Sequence, residues 1–128
     1  MYVRISCPGI PCASYMRSVP RFVQEVQTLT FGDAFGQGLD GVTLPSGLQT
    51  LTFGMWFNKS LGGVTLPSGL QRLTFGAAFD QSLGGVRLPS GLQELTFGEK
   101  FNQSMKDVEL PPNLQILRFA TIFLLCCR

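Results

Sequence analysis

Asn58, Asp80 and Asn102 recur every 22 residues, and a row of oxygen-bearing side chains is the kind of array a hard cation or an acid–base reaction would use. Only one of the three is a carboxylate. Asn and Asp at a tight corner also accept hydrogen bonds from backbone N–H groups that the turn leaves open, and that structural duty is the expectation here. Cys7, Cys12, Cys126 and Cys127 are the other ligand-type residues. The Cys7-x4-Cys12 spacing is loose for zinc, the last pair is adjacent, and the sequence holds no histidine to complete a set, so free thiols are expected. The lack of histidine also removes the usual general base and every histidine-containing triad. No nucleophile–base pair or phosphate loop is visible, so no catalytic site, metal or cofactor is expected and the chain reads as a non-enzyme.

What remains is the chemistry of recognition. Thr28, Thr50, Arg72, Glu94 and Ile116 form one 22-residue column, and Thr30, Thr52, Thr74, Thr96 and Arg118 form a second, two residues further on. Arg72 and Glu94 are equivalent residues of successive units, as are Arg87 and Glu109, and each pair suits a cross-strand ion pair. Met55-Trp56 stands where other units have Asp33-Ala34, Ala77-Ala78 and Glu99-Lys100, which makes the single Trp an exposed aromatic at a loop. Expected partner-binding residues are therefore Thr50, Thr52, Arg72, Thr74, Glu94 and Thr96, with Trp56 as a further anchor.

The elements that position these residues follow from the repeat. Ten of the 11 phenylalanines fall in two columns, Phe31, Phe53, Phe75, Phe97, Phe119 and Phe35, Phe57, Phe79, Phe101, Phe123. Full units run 29–50, 51–72, 73–94 and 95–116, flanked by a partial unit over 20–28 and another over 117–128, with an irregular segment over 1–19. Within a unit, Leu51-Thr52-Phe53 alternates apolar, polar, apolar, the two-residue period of a strand that ends at Gly54. Val64-Thr65-Leu66 alternates likewise, and Pro67 then stops ladder donation before a corner at Ser68-Gly69. Two extended edges and two glycine-bearing corners make one coil, and glycine or proline recurs too often for helices. Stacked about 4.7–4.9 Å apart, such coils build a parallel ladder. Their Leu and Phe columns become core, including Leu39, Leu61, Leu83 and Met105 beside Leu44, Leu66, Leu88 and Leu110. The expected fold is mainly β, a solenoid of short parallel strands with four full coils and partial coils at both ends.

Composition narrows the function. A chain of 128 residues with 45% hydrophobic and 14% charged residues and a net charge of +2 is neither disordered nor basic enough for nucleic acid. The first residues lack a secretory apolar core, and the apolar stretch from Phe119 to Cys127 is far short of the roughly 20 residues of a membrane span. A cytoplasmic protein without a transmembrane span is the expectation.

Leu51-Thr52-Phe53-Gly54 with Phe57-Asn58, then Leu61, Leu66-Pro67 and Leu70, resembles the FNIP repeat, a short subclass of leucine-rich repeat. Leu95-Thr96-Phe97-Gly98 with Phe101-Asn102-Gln103 carries the same signature, and the likeness extends over most of the chain. Gly36, Asp80 and Leu124 replace the Asn in other units. The resemblance implies a curved solenoid used for protein interaction, with the outward strand face as contact surface and no catalytic activity. Two alternatives remain, a structural piece of a longer repeat protein and a threonine-row ice binder, the latter interrupted by Arg72, Glu94 and Arg118. A last coil that closes on Phe119, Ile122 and Phe123 without a polar cap is expected to self-associate through residues 117–128.

Overall fold

The structure, a computed structural model, describes residues 2–5 and 26–120. Six short strands, β1 (Tyr2–Ile5), β2 (Thr28–Phe31), β3 (Thr50–Thr52), β4 (Arg72–Thr74), β5 (Glu94–Phe97) and β6 (Ile116–Phe119), form one parallel sheet in sequence order. From β2 to β6 the register is the repeat itself, with Leu29 beside Leu51, Leu51 beside Leu73, Leu73 beside Leu95 and Leu95 beside Leu117. The described residues contain no helix, and the architecture is a β-solenoid.

Alternation decides which face is core. Leu29, Leu51, Leu73 and Leu95 are buried, as are Phe31, Phe53, Phe75 and Phe97, while the threonines between them are half-exposed. Successive rings of the first Phe column stack at 5.3–5.5 Å between centroids. Those of the second stack at 6.0–6.2 Å. Within a coil the two columns touch, as Phe75 and Phe79 do at 3.9 Å.

The glycine after each strand has a different duty from the expected one of ending it. A Cβ on Gly54 would overlap the Gly32 carbonyl, one on Gly76 that of Gly54, and one on Gly98 that of Gly76. None of these three has a positive φ, so the column exists because successive backbones touch there, a close approach only glycine permits. The next residue of the column is Ala120.

Two further expectations change. The segment over 1–19, read as irregular, contributes β1, because Tyr2-Val3-Arg4-Ile5 has the strand alternation even though its 26-residue offset from Leu29 and Phe31 breaks the repeat period. The second edge, exemplified by Val64-Thr65-Leu66, alternates in burial but forms no ladder. Tight turns bracket it, with Val64 N–H donating to Leu61 at 3.0 Å and Leu70 N–H to Pro67 at 3.1 Å. Two open grooves lie on this side, of about 510 Å³ over Val64, Leu66 and Leu88 and about 330 Å³ over Val42 and Leu44. The expected Arg87–Glu109 ion pair is accordingly not formed, because no ladder holds these edges together. Residues 20–25 of the first partial unit, residues 121–128 of the last and the four cysteines lie outside the described residues.

Candidate functional site

On the outward face of the sheet, pairing brings Thr28, Thr50, Arg72, Glu94 and Ile116 into one row and Thr30, Thr52, Thr74, Thr96 and Arg118 into another. Six of the seven expected binding residues, Thr50, Thr52, Arg72, Thr74, Glu94 and Thr96, thus share one continuous patch. Their backbones are fixed by the ladder and their side chains take no part in the core. Arg72 Nε lies 3.6 Å from a Glu94 carboxylate oxygen, the one ion pair among the described residues. Both partners keep solvent contact, so the pair orients two side chains more than it stabilises the fold. Trp56 is not brought to this patch. It stands on the turn after β3 with 65% of its surface exposed, beside the exposed Met55.

The polar column does structural work. Asn58 Oδ1 accepts from the Asp80 N–H at 2.9 Å, and Asp80 Oδ1 accepts from the Asn102 N–H at 2.9 Å. Gln81 and Gln103 Nε2 donate to the same two oxygens at 3.0 and 2.9 Å. Asn58 Oδ1 and Asp80 Oδ1 are therefore both taken up by two donors each from the next coil, the corner duty expected of this column. Among the described residues no three His, Cys, Asp or Glu side chains gather as a metal site would require.

Sequence reasoning passed over one column of this surface. Gln27, Gln49, Gln71, Gln93 and Gln115 are all exposed at the corner before each strand. Their carbonyls carry the ladder round the corner: Gln49 C=O accepts from both Gln71 N–H at 2.8 Å and Arg72 N–H at 3.0 Å. A backbone duty of that kind does not need an amide side chain, and its recurrence through five units was the available signal.

The family model for the FNIP repeat matches residues 57–100. A solved structure titled as that of CroV588, "a novel circular LRR protein structure", is similar to this chain with a TM-score of 0.70 and 38% identity. The likeness covers 75% of this chain and 14% of that one. No curated protein matches the chain. The repeat unit, the parallel sheet and these two findings agree on a repeat protein of FNIP and leucine-rich-repeat-like type, folded as a solenoid. Folds of this type are typical of non-enzymatic scaffolds, and among the described residues no helix is long and apolar enough to cross a membrane.

Proposed function

We propose that the protein is a non-enzymatic repeat scaffold that binds a protein partner through the outward face of its sheet. One observation carries this reading. On a rigid ladder whose inward columns hardly vary, the outward column Thr50, Arg72, Glu94 changes character from coil to coil and presents an oriented ion pair to solvent. Variable side chains on an invariant frame are how a repeat surface acquires a specific partner, with hydrogen bonds and charge setting specificity. The same two charges interrupt the threonine rows and weigh against an ice-binding surface. Trp56 serves as a second anchor, outside the patch. The chain spans 14% of the CroV588 chain it matches, and a scaffold role within a longer array fits equally.

The test compares quantitative capture of cellular proteins by the wild type and by T50A/R72A/E94A, with melting curves recorded for both. A partner retained by the wild type and lost at least tenfold by the variant, at unchanged melting, supports the patch. Equal retention refutes it and moves attention to W56A.

A further inference from the structure

We propose that the corner between the first and second full coils is a docking site for an aspartate side chain of a partner protein, its carboxylate held by the Asn58 N–H and the Lys59 ammonium beside the exposed Trp56. The site gives the Trp56 anchor its partner chemistry and stands independently of the outward patch.

The later coils show what this corner is built to hold. At the junction of coils two and three, Asn58 Oδ1 accepts from the Asp80 N–H at 2.9 Å and from Gln81 Nε2 at 3.0 Å. At the junction of coils three and four a carboxylate takes the same place, with Asp80 Oδ1 accepting from the Asn102 N–H and from Gln103 Nε2, both at 2.9 Å. Each rung thus consists of one side-chain oxygen and two converging donors, a backbone N–H and the side chain one residue further on. The first junction has the donors without the oxygen. Gly36 stands at the Asn place of coil one, and among the described residues nothing accepts from the Asn58 N–H. Both coils of this junction are described, so the site lies inside the array and not at an end of it.

Charge selects the ligand. Lys59 stands where the next two coils have Gln81 and Gln103. It is exposed and has no ion pair among the described residues, so an ammonium takes the position of a neutral amide donor. The two changes act in one direction. An oxygen brought by another molecule fits where Gly36 brings none, and a charged donor favours a carboxylate oxygen, as in the Asp80 rung. A Cβ at Gly36 would meet no atom within 4 Å, so the approach is open. Asp33, three residues before Gly36, is turned to the Met55 N–H, from which its Oδ1 accepts at 3.0 Å. Trp56 is 65% exposed, and its equivalents on the flanking coils are the small Ala34 and Ala78. The indole is thus free to cover an apolar residue next to the docked aspartate.

The test titrates two tripeptides blocked at both ends, Leu-Asp-Leu and Leu-Asn-Leu, into the full chain in reductant. Binding is read from the backbone amide signal of Asn58 in nitrogen–proton correlation spectra and from the fluorescence of Trp56, the one tryptophan. The aspartate peptide should move the Asn58 signal saturably, change the fluorescence, and bind roughly fivefold or more tightly than the asparagine peptide. K59Q should bring the two peptides to within about twofold of each other. G36D supplies the carboxylate from inside the chain, and should bind the aspartate peptide roughly tenfold or more weakly while melting no lower than the wild type. T50A/R72A/E94A should bind the peptide as the wild type does, so that this site and the outward patch are judged separately. An Asn58 signal that the aspartate peptide leaves in place overturns the proposal, as do equal affinities for the two peptides or undiminished binding by G36D. A K59Q variant that keeps the preference for aspartate overturns the assignment of Lys59.

Discussion

Replacing Phe79 with Ala tests the inward face where the structure packs it most tightly. The ring is fully buried. It lies flat between Phe57 at 6.2 Å and Phe101 at 6.1 Å, and Phe75 of its own coil touches it at 3.9 Å. Truncation removes roughly 100–150 Å² of buried apolar surface, which at about 25 cal/mol per Å² is about 2.5–4 kcal/mol. The void cannot close by bringing coils two and four together, since the backbone ladder and the glycine contacts on either side hold their spacing. Transfer and cavity contributions together place the loss at about 3–5 kcal/mol. Thr74, half-exposed on the opposite face, should lose no more than about 0.5 kcal/mol as T74A. Urea unfolding separates the two. With a slope of about 1–3 kcal/mol per molar, F79A should shift its midpoint by more than about 1 M while T74A barely moves. Similar shifts for both variants, or a shift below that for F79A, would refute the assignment of faces.

Gly76→Ala should cost about 1–3 kcal/mol in the same assay despite an ordinary φ, because its Cβ would press on the Gly54 carbonyl. Gly36→Asn should stabilise by about 0.5–1.5 kcal/mol, since it adds the acceptor for the Asn58 N–H that the next two coils already have. The space around a Cβ at Gly36 is open, so a loss of stability there would contradict the ladder. Asp80→Ala should cost about 1–3 kcal/mol by stranding the donors of Asn102 and Gln103, and Asp80→Asn should recover most of it in thermal melts.

The inward columns were legible because period and alternation act together: a 22-residue period aligns Leu51 with Leu73, and a two-residue period turns both inward. The Asn58–Asp80–Asn102 column was legible for a similar reason, since short polar side chains at corners have few other uses. Leu51-Thr52-Phe53 and Val64-Thr65-Leu66 read alike, and only the first forms a ladder. Strand pairing depends on the distance to the next coil, and alternation within one unit carries no information about that distance. Gly54 is ambiguous in the same way. A glycine after a strand reads as a turn residue, and its contact with the Gly32 carbonyl exists only once the coils are stacked. Val3 and Ile5 escaped the pattern because their 26-residue offset from Leu29 and Phe31 departs from the repeat period. The outward patch was legible as an array of positions, whereas what a strand face recognises would depend on a second surface and has no counterpart in the repeat.

The last described coil shows how the interior is held. Leu95 and Leu117 have the same chemistry, the same strand position and the same preceding neighbour in register, yet one is fully buried and the other 37% exposed. The difference is the following coil, so burial here is a property of junctions between coils and not of coils. Stability in such a chain accumulates junction by junction. A ring flanked on both sides, such as Phe79, therefore carries contacts from two junctions, and among the described residues Phe119 carries them from one. The Asn–Asp ladder, the glutamine carbonyls and the glycine contacts all run along the same axis, each from one coil to the next. The outward face gains rigidity from the same arrangement, because Arg72 and Glu94 are set by the junction between β4 and β5 and not by their own coils alone.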